Sequence, residues 1–173
     1  AIALPIAEAL HEEGCEVSSV IGFRSEELVI LEKEFRAASA RTVLMSDDGS
    51  AGRQGVVTLP LKEWLESGER FDRIFAIGPL IMMKFVVETA RPFGIPVTVS
   101  MNPIMIDGTG MCGGCRLTVD GKMRFACVDG PDFDGYGVDF DEAISRGNMY
   151  RDFEATAREK VCNLYGKEEN GNG

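Results

Sequence analysis

Short apolar runs alternate with amphipathic stretches along the first hundred residues. Four runs are rich in β-branched or aromatic side chains, which is typical of strands: residues 16–23, 42–45, 73–77 and 96–100. Helical spacing and capping residues predict helices over residues 2–13, from Ser25 to about Ala38, from Thr58 to about Glu66, and from Pro79 onward. This alternation predicts an α/β fold, with an open parallel sheet covered by helices on both faces.

The pattern changes after residue 101. Residues 102–137 are rich in Gly, Cys, Asp and Pro, and two short strand-like runs there flank Asp120-Gly121, a pair typical of hairpin turns. Residues 139–165 have a helical pattern, and the tail 167–173 is polar. We therefore expect three parts: a sheet domain over 1–101, a small hairpin subdomain over 102–137, and a helical extension and tail over 138–173.

Composition narrows the possible functions. The chain has 173 residues, 18 Lys plus Arg and 28 Asp plus Glu, for a net charge of −10. This balance argues against a nucleic-acid partner or an anionic membrane surface, because phosphates require clustered basic residues. No apolar run reaches the roughly 18 residues of a membrane span. A single histidine, His11, argues against a His-based dyad or a His-rich metal site.

The start of the chain bears on the cysteines. It opens at Ala1 with no initiator Met and no basic region typical of a signal peptide, so we expect a cytoplasmic protein cut from something longer. Without a secretory signal, closely spaced cysteines indicate metal or redox ligands rather than disulfides.

The strongest chemical motif is Asp107-Gly-Thr-Gly-Met-Cys112-Gly-Gly-Cys115, followed by eleven residues and then Cys127. A two-residue spacing lets one turn present the Cys112 and Cys115 thiolates to one centre. The glycines leave backbone N–H groups free to point at sulfur, where such bonds tune a reduction potential. Plant-type [2Fe–2S] loops have the spacing Cys-x4-Cys-x2-Cys and a distant fourth Cys. Here Asp107 occupies the first of those positions, and Cys127 could be the fourth.

Three interpretations of this motif remain open. The first is a [2Fe–2S] cluster bound by Asp107, Cys112, Cys115 and Cys127. The second is a structural zinc site, although such sites prefer Cys and His to Asp. The third is a set of ordinary cysteines in a glycine-rich hairpin. The two other cysteines, Cys15 and Cys162, match no comparable motif and are expected to be structural or incidental.

Candidate nucleotide-binding residues follow the ends of three predicted strands, where ligands bind in open α/β sheets. They are Arg24 for a ribose or phosphate, Asp47, Asp48 and Gly49 for ribose hydroxyls, and Gly78, Pro79 and Met82 beside a flat ring. Each has a structural alternative: a surface charge for Arg24, ordinary turn residues for the aspartates, and core filling for Met82. The glycine-rich phosphate loop that would decide the matter is absent.

Five motifs occur in the order seen in ferredoxin–NADP reductase-like electron-transfer subunits, and the chain resembles the C-terminal part of these proteins. They include the electron-transfer subunit of dihydroorotate dehydrogenase and the small subunit of NADH-dependent ferredoxin–NADP oxidoreductase or sulfide dehydrogenase. The Asp at the first ligand position favours the second group. The motifs are Asp47-Asp48-Gly49-Ser50-x-Gly52, Gly78-Pro79-x-x-Met82-Met83, Asn102-Pro103-Ile104-Met105, Asp107 to Arg116, and Phe125 to Gly135.

The resemblance implies a sheet of strand order 3-2-1-4-5 whose first, central strand precedes residue 1. Residues 1–101 would then be a truncated NAD(P)-binding domain and residues 102–137 the cluster-binding subdomain. An N-terminal barrel missing from this chain would hold FAD. Electrons would pass between NAD(H) or NADP(H), FAD and a [2Fe–2S] cluster to a larger catalytic subunit. The dihydroorotate dehydrogenase type would belong to pyrimidine biosynthesis.

Two other classes of function compete with this interpretation. One is a non-catalytic zinc-binding structural or interaction domain. The other is an NAD(P)H enzyme that acts alone, which the lack of an acid, base or nucleophile constellation disfavours. The choice between NAD and NADP is open, because Arg24 would favour a 2′-phosphate and the nearby carboxylates would oppose it.

Overall fold

The computed structural model describes residues 2–151 and 153–158. Its helices are α1 (Ala3–Glu12), α2 (Glu32–Ala37), α3 (Thr58–Glu66), α4 (Leu80–Ala90), α5 (Ala126–Asp129) and α6 (Phe140–Gly147). Its strands are β1 (Ser18–Phe23), β2 (Arg41–Ser46), β3 (Arg53–Gln54), β4 (Ile74–Ile77), β5 (Val97–Ser100), β6 (Arg116–Val119), β7 (Lys122–Phe125) and β8 (Asp132–Asp134). The α/β prediction is confirmed, and all four predicted strands form.

The strands pair as two parallel units. Strand β1 pairs with β2 from Ser18 opposite Arg41 to Phe23 opposite Ser46, and β3 extends this unit. Strand β4 pairs with β5, beginning with Ile74 opposite Val97. Among the described residues, β1 and β4 are not hydrogen-bonded to each other. In the expected order 3-2-1-4-5, strand 1 is the one that precedes residue 1. The observed pair β2–β1 corresponds to strands 3-2 of that order, and the observed pair β4–β5 corresponds to strands 4-5.

The segment after β5 is built onto the same sheet. Strand β8 adds to β5 in antiparallel orientation, with Val99 opposite Phe133. Strands β6 and β7 form the predicted hairpin, with Asp120 in a left-handed turn conformation (φ 51°). The sequence pattern did not indicate β8, because three residues with an Asp-Phe-Asp sequence carry no strand signal by themselves.

Two predicted helices differ from the observed ones. The helix expected from Ser25 to Ala38 is wrong: a 3₁₀ turn (Glu26–Leu28) and α2 replace it, and Leu31 at φ 57° separates them. Val29 is extended, as suits a β-branched residue. The helix expected over 139–165 ends first at Gly147, and residues 153–158 are helical again. The rest of that prediction, the tail and Cys162 lie outside the described residues.

The buried apolar residues form two cores. The larger core joins β4, β5, α3 and α4 to the hairpin and α6, and includes Met83, Val99, Cys115 and Leu117. The smaller core joins α1, β1, α2 and β2, and includes Leu4, Ile21, Phe35 and Leu44. The expected domain boundaries at residues 101 and 137 stay a prediction. No helix in the described part of the chain is long and apolar enough to cross a membrane.

Candidate functional site

The loop from Asp107 to Cys115 is organised by the Asp107 carboxylate. The backbone N–H of Thr109 donates to Oδ1 at 2.8 Å, and the N–H of Cys112 donates to Oδ2 at 2.9 Å. These donors, the Thr109 N–H first, hold the pKa of Asp107 below its usual value. The carboxylate is therefore ionised at neutral pH and fixed beside the first cysteine of the motif.

Two of the candidate sulfur ligands meet across the hairpin. Cys115 precedes β6 and is buried, whereas Cys127 lies in α5, directly after β7. Their Sγ atoms are 3.2 Å apart, and the Cys127 N–H donates to the Cys115 sulfur at 3.5 Å. Two sulfurs bound tetrahedrally to one metal at about 2.3 Å lie about 3.8 Å apart, so the pair is close to a ligating arrangement.

The rest of the loop also faces Cys127. The thiol of Cys115 and then partial burial raise the pKa of Cys127, while a hydrogen bond from the Gly110 backbone acts in the opposite direction. Gly110 has φ +83°, and a Cβ there would lie 3.1 Å from Val128. Only glycine adopts this conformation readily, so Gly110 lets the loop backbone reach the sulfur.

Cys112 is the exposed one of the three candidate cysteines. Its sulfur accepts a hydrogen bond from the Gly114 N–H at 3.4 Å, which is the kind of bond that the glycine-rich spacing predicts. The four candidates thus fall into two neighbouring pairs, Asp107 with Cys112 and Cys115 with Cys127. Within the described ranges, no three His, Cys, Asp or Glu residues already converge closely enough to hold a single metal ion.

The donor chemistry of these residues fits a cluster better than a single hard ion. Three thiols, once deprotonated, and one ionised carboxylate supply four anionic ligands, and backbone N–H groups of Gly114 and Cys127 point at sulfur. Iron–sulfur clusters are held by thiolates and tuned by such N–H bonds. No histidine accompanies the thiols in this segment, although histidine is a common ligand in structural zinc sites.

The candidate nucleotide residues lie at the carboxyl ends of the parallel strands. The Asp48 N–H donates to the Arg24 carbonyl at 3.3 Å, so the ends of β1 and β2 bring these two loops together. The Asp48 carboxylate accepts hydrogen bonds from the hydroxyl and N–H of Ser50 at 2.6 and 2.9 Å, and they lower its pKa, the hydroxyl most. Asp48 therefore shapes the loop around Gly49, while the neighbouring Asp47 side chain makes no hydrogen bond within the described residues.

The other three candidates follow β4. Gly78 ends the strand, Pro79 is the N-cap of α4, and Met82 is half-buried against the larger core. A Cβ at Gly78 would lie 2.5 Å from Cε of Met82, so these two residues are in close contact. Sequence reasoning placed Asn102 only in a family motif and assigned it no role, although its side-chain N–H donates to the Gly78 carbonyl at 3.4 Å. Its position two residues after the end of β5 was the available signal.

These features define a class: an open α/β sheet of the nucleotide-binding type that carries a thiol-rich loop on a hairpin. Residues 102–139 match the family model of the iron–sulfur cluster binding domain of dihydroorotate dehydrogenase B. The chain is 47% identical over 165 residues to a dihydroorotate dehydrogenase B (NAD(+)) electron transfer subunit homolog of Thermotoga maritima, covering 95% of the chain and 58% of the relative. It is 37% identical to the electron transfer subunit of Geobacillus thermodenitrificans, covering 74% of the chain and 49% of the relative.

A solved structure agrees with these relatives. A chain of the NADH-dependent reduced ferredoxin-NADP oxidoreductase, from work on flavin-based electron bifurcation, superposes with a TM-score of 0.81 at 45% identity. The match covers 92% of this chain and 57% of that one. The chain therefore spans a little over half the length of its first relatives. The resemblance drawn from the motifs is confirmed: the chain is similar to electron-transfer subunits of this type, and its residues 102–139 match the model of an iron–sulfur cluster binding domain.

Proposed function

We propose that this chain is part of an electron-transfer subunit that passes electrons between NAD(P)H, FAD and a [2Fe–2S] cluster to a larger catalytic oxidoreductase subunit. The observation that carries the proposal is the meeting of Cys115 and Cys127, 3.2 Å apart, inside the segment that matches an iron–sulfur domain. Electron-transfer subunits are also what the relatives' names describe.

We assign the cluster to Asp107, Cys112, Cys115 and Cys127. When bound, the cluster supplies one-electron chemistry that no side chain of the hairpin provides. The chain's own contribution is to hold the ligands and tune them. Asp107 keeps its charge through two backbone donors, and Gly114 donates to the Cys112 sulfur. The hydrogen bond from Gly110 offsets part of the rise in the pKa of Cys127, which favours the thiolate needed for binding.

We assign the nucleotide to the carboxyl edge of the sheet, with Arg24, Asp47, Asp48 and Gly49 on one side and Gly78, Pro79 and Met82 on the other. Asp48 is already bonded to Ser50, so we expect its neighbour Asp47 to accept hydrogen bonds from ribose hydroxyls. Asp48 and Gly49 then set the loop conformation, and Arg24 offers a cation at the adjoining strand end.

The remaining parts of the activity lie beyond this chain. We place the FAD and the partner subunit outside it, because the chain spans only 58% and 49% of the two relatives. We place the protein in the cytoplasm, where a reducing environment keeps thiol ligands from forming disulfides.

The first experiment tests the cluster. The complete protein that carries this chain is purified without oxygen, and its iron, acid-labile sulfide, zinc and visible absorption are measured. We expect iron and sulfide in equal amounts with a visible absorption band. Zinc without iron or sulfide would contradict the proposal and support a zinc-binding structural domain instead.

The ligands are tested with serine substitutions. Cys112→Ser is expected to remove most of the iron, and Cys15→Ser is its matched control, because both thiols are free and exposed. Cys115→Ser is expected to remove the iron and also destabilise the fold by about 1–3 kcal/mol, since it buries an unpaired hydroxyl.

Asp107→Cys is expected to retain a cluster with a changed reduction potential. An unchanged potential would remove Asp107 from the ligand set.

A further inference from the structure

The candidate ligand Cys127 lies on a helix of a single turn. Helix α5 has only four residues, Ala126–Asp129, and a helix this short is not stable through its own hydrogen bonds. Its position therefore comes from contacts with the rest of the hairpin and the sheet. The buried Ala126 supplies one such contact, because it packs in the larger core. The others are hydrogen bonds at the start of the helix.

Three consecutive backbone N–H groups fix the start of α5. The N–H of Ala126 donates to the Cys115 carbonyl at 3.2 Å, and the N–H of Cys127 donates to the Cys115 sulfur at 3.5 Å. The N–H of Phe125, the residue before the helix, donates to Oδ2 of Asp129 at 2.7 Å. Two of the three bonds therefore end on a second candidate ligand, and the third and shortest one ends on Asp129.

The Asp129 carboxylate spans the whole turn of α5. It belongs to the last residue of the helix and accepts from the residue that precedes the first one. A hydrogen bond to a carboxylate is roughly twice as strong as one between neutral groups. Oδ1 of Asp129 also lies 3.7 Å from Nη1 of Arg124, but both side chains are partly exposed, so this ion pair contributes little. The bond to Phe125 is therefore the contact through which Asp129 acts on the helix.

The chain after α5 is held by the sheet instead. A Cβ on Gly130 would lie 2.4 Å from the ring of Phe133, so this ring packs directly against the backbone that follows the helix. Phe133 lies in β8, opposite Val99 of β5. One end of α5 is thus fixed by the sheet, and the other end is fixed within the hairpin through Asp129 and Cys115.

We propose that Asp129 is a positioning residue for the cluster: its carboxylate holds the start of α5 so that the Cys127 sulfur stays beside Cys115. This inference rests on the proposed function and deepens its ligand assignment. The two sulfurs are 3.2 Å apart, and a metal ligand tolerates an error of only about 0.2 Å in its bond length. Loss of the Asp129 bond frees the start of α5 to shift, so both the retention of iron and the ligand geometry at Cys127 depend on it.

The test compares two substitutions of Asp129 in the complete protein, purified without oxygen. The rate of iron loss to a chelator and the electron paramagnetic resonance spectrum of the reduced protein are measured. Asp129→Ala removes the acceptor and is expected to accelerate iron loss about fivefold, the size of one lost hydrogen bond, and to change the spectrum. Asp129→Asn keeps an acceptor oxygen for the Phe125 N–H and is expected to restore most of the wild-type retention and the wild-type spectrum.

Two control variants separate this role from charge and from general stability. Arg124→Gln removes the ion pair but leaves the bond between Phe125 and Asp129, so it should change neither measurement. Asp139→Ala removes another carboxylate that accepts from a backbone N–H, that of Glu142 at 2.9 Å, but it does so on α6. It is expected to destabilise the fold to a similar degree while the rate of iron loss and the spectrum stay as in the wild type.

Three results would overturn the positioning role and leave the proposed function intact, because the wild type would still hold iron and sulfide. They are wild-type retention and spectrum in Asp129→Ala, equal damage in Asp129→Ala and Asp129→Asn, and equally fast iron loss in Asp139→Ala. Wild-type protein that contains no iron and no sulfide would overturn the proposed function and this inference together.

Discussion

The two cores of this protein differ in their contact with the candidate metal centre. The larger one, which we call the β4–β5 region, buries Cys115 and Leu117 together with Met83 and Val99 of the sheet domain. The smaller one, the β1–β2 region, contains no residue of 102–139, the segment that matches the iron–sulfur domain. Strand β8 strengthens this difference, because it returns from that segment to pair with β5. The segment that matches the iron–sulfur domain is thus packed with the β4–β5 region and shares no buried core residue with the β1–β2 region.

Two ion pairs join the two regions. Arg41 of β2 pairs with both carboxylate oxygens of Glu69, and its guanidinium lies 3.8 Å from the centroid of the Trp64 ring. Arg53 of β3 pairs with Glu63 of α3 at 2.5 Å. Exposed pairs of this kind contribute little individually. We therefore expect the two regions to respond separately to core substitutions.

A matched pair of leucine truncations tests this difference most strongly. Leu65→Ala, in the β4–β5 region, and Leu44→Ala, in the β1–β2 region, each remove a buried leucine and should cost about 2–5 kcal/mol. We expect hydrogen exchange in the hairpin amides of β6 and β7 to accelerate only in Leu65→Ala. Equal acceleration in both variants would show a single cooperative unit instead.

A smaller loss of stability is expected from a substitution in the loop from Asp107 to Cys115. Gly110→Ala places a Cβ at φ +83° and 3.1 Å from Val128, with a strain of about 1–2 kcal/mol. We expect lower iron retention under a chelator, with unchanged exchange in β1 and β2. Gly121→Ala, at φ +70° in the hairpin turn with no atom within 4 Å of the added Cβ, has a similar strain without the crowding. Retention equal to wild type in Gly110→Ala would show that the loop does not need this glycine.

A still smaller loss of stability is expected from a substitution at the contact between the two regions. Arg41→Lys keeps the charge but loses the two-pronged pairing with Glu69 and the stacking on Trp64, for a loss of about 1 kcal/mol. Chemical denaturation monitored by the fluorescence of Trp64, the only tryptophan, measures the change. Lys62→Arg is the control, because Lys62 pairs with Glu66 at 3.6 Å within α3 and does not join the two regions. It is expected to leave the stability unchanged. Full stability in Arg41→Lys would mean that apolar contacts alone join the regions.

The smallest effect is a dependence on pH. Hydrogen bonding to Arg41 lowers the pKa of Glu69 from its usual 4.5, and Arg53 does the same for Glu63. A carboxylate with a lowered folded pKa stabilises the protein above its unfolded pKa and loses that contribution as pH falls through the folded value. The contact should therefore weaken below about pH 4.5, and Glu69→Gln should reduce this dependence. An identical acid profile in wild type and Glu69→Gln would contradict it.

The sequence predicted most of the helices and strands and part of the candidate site. Strand runs such as residues 73–77 are short, apolar and bounded by Gly78-Pro79, so local pattern was sufficient for them. Helix α2 was misplaced because the left-handed Leu31 breaks a helical pattern that capping residues alone suggest. The sequence did not distinguish Asp47 from Asp48 as candidate ribose ligands. In the structure Ser50 donates two hydrogen bonds to the Asp48 carboxylate, and this contact distinguishes the two residues.

By itself the sequence determined the alternation of elements, the hairpin and the four spaced ligand candidates, because these depend on residues close together in the chain. Only the tertiary structure decided that Cys115 meets Cys127, that β8 returns to β5, and that Asn102 reaches the Gly78 carbonyl. Each of these contacts joins distant residues through packing. Local propensity does not encode such contacts, because the free energy that forms them comes from burying the shared core around β4 and β5.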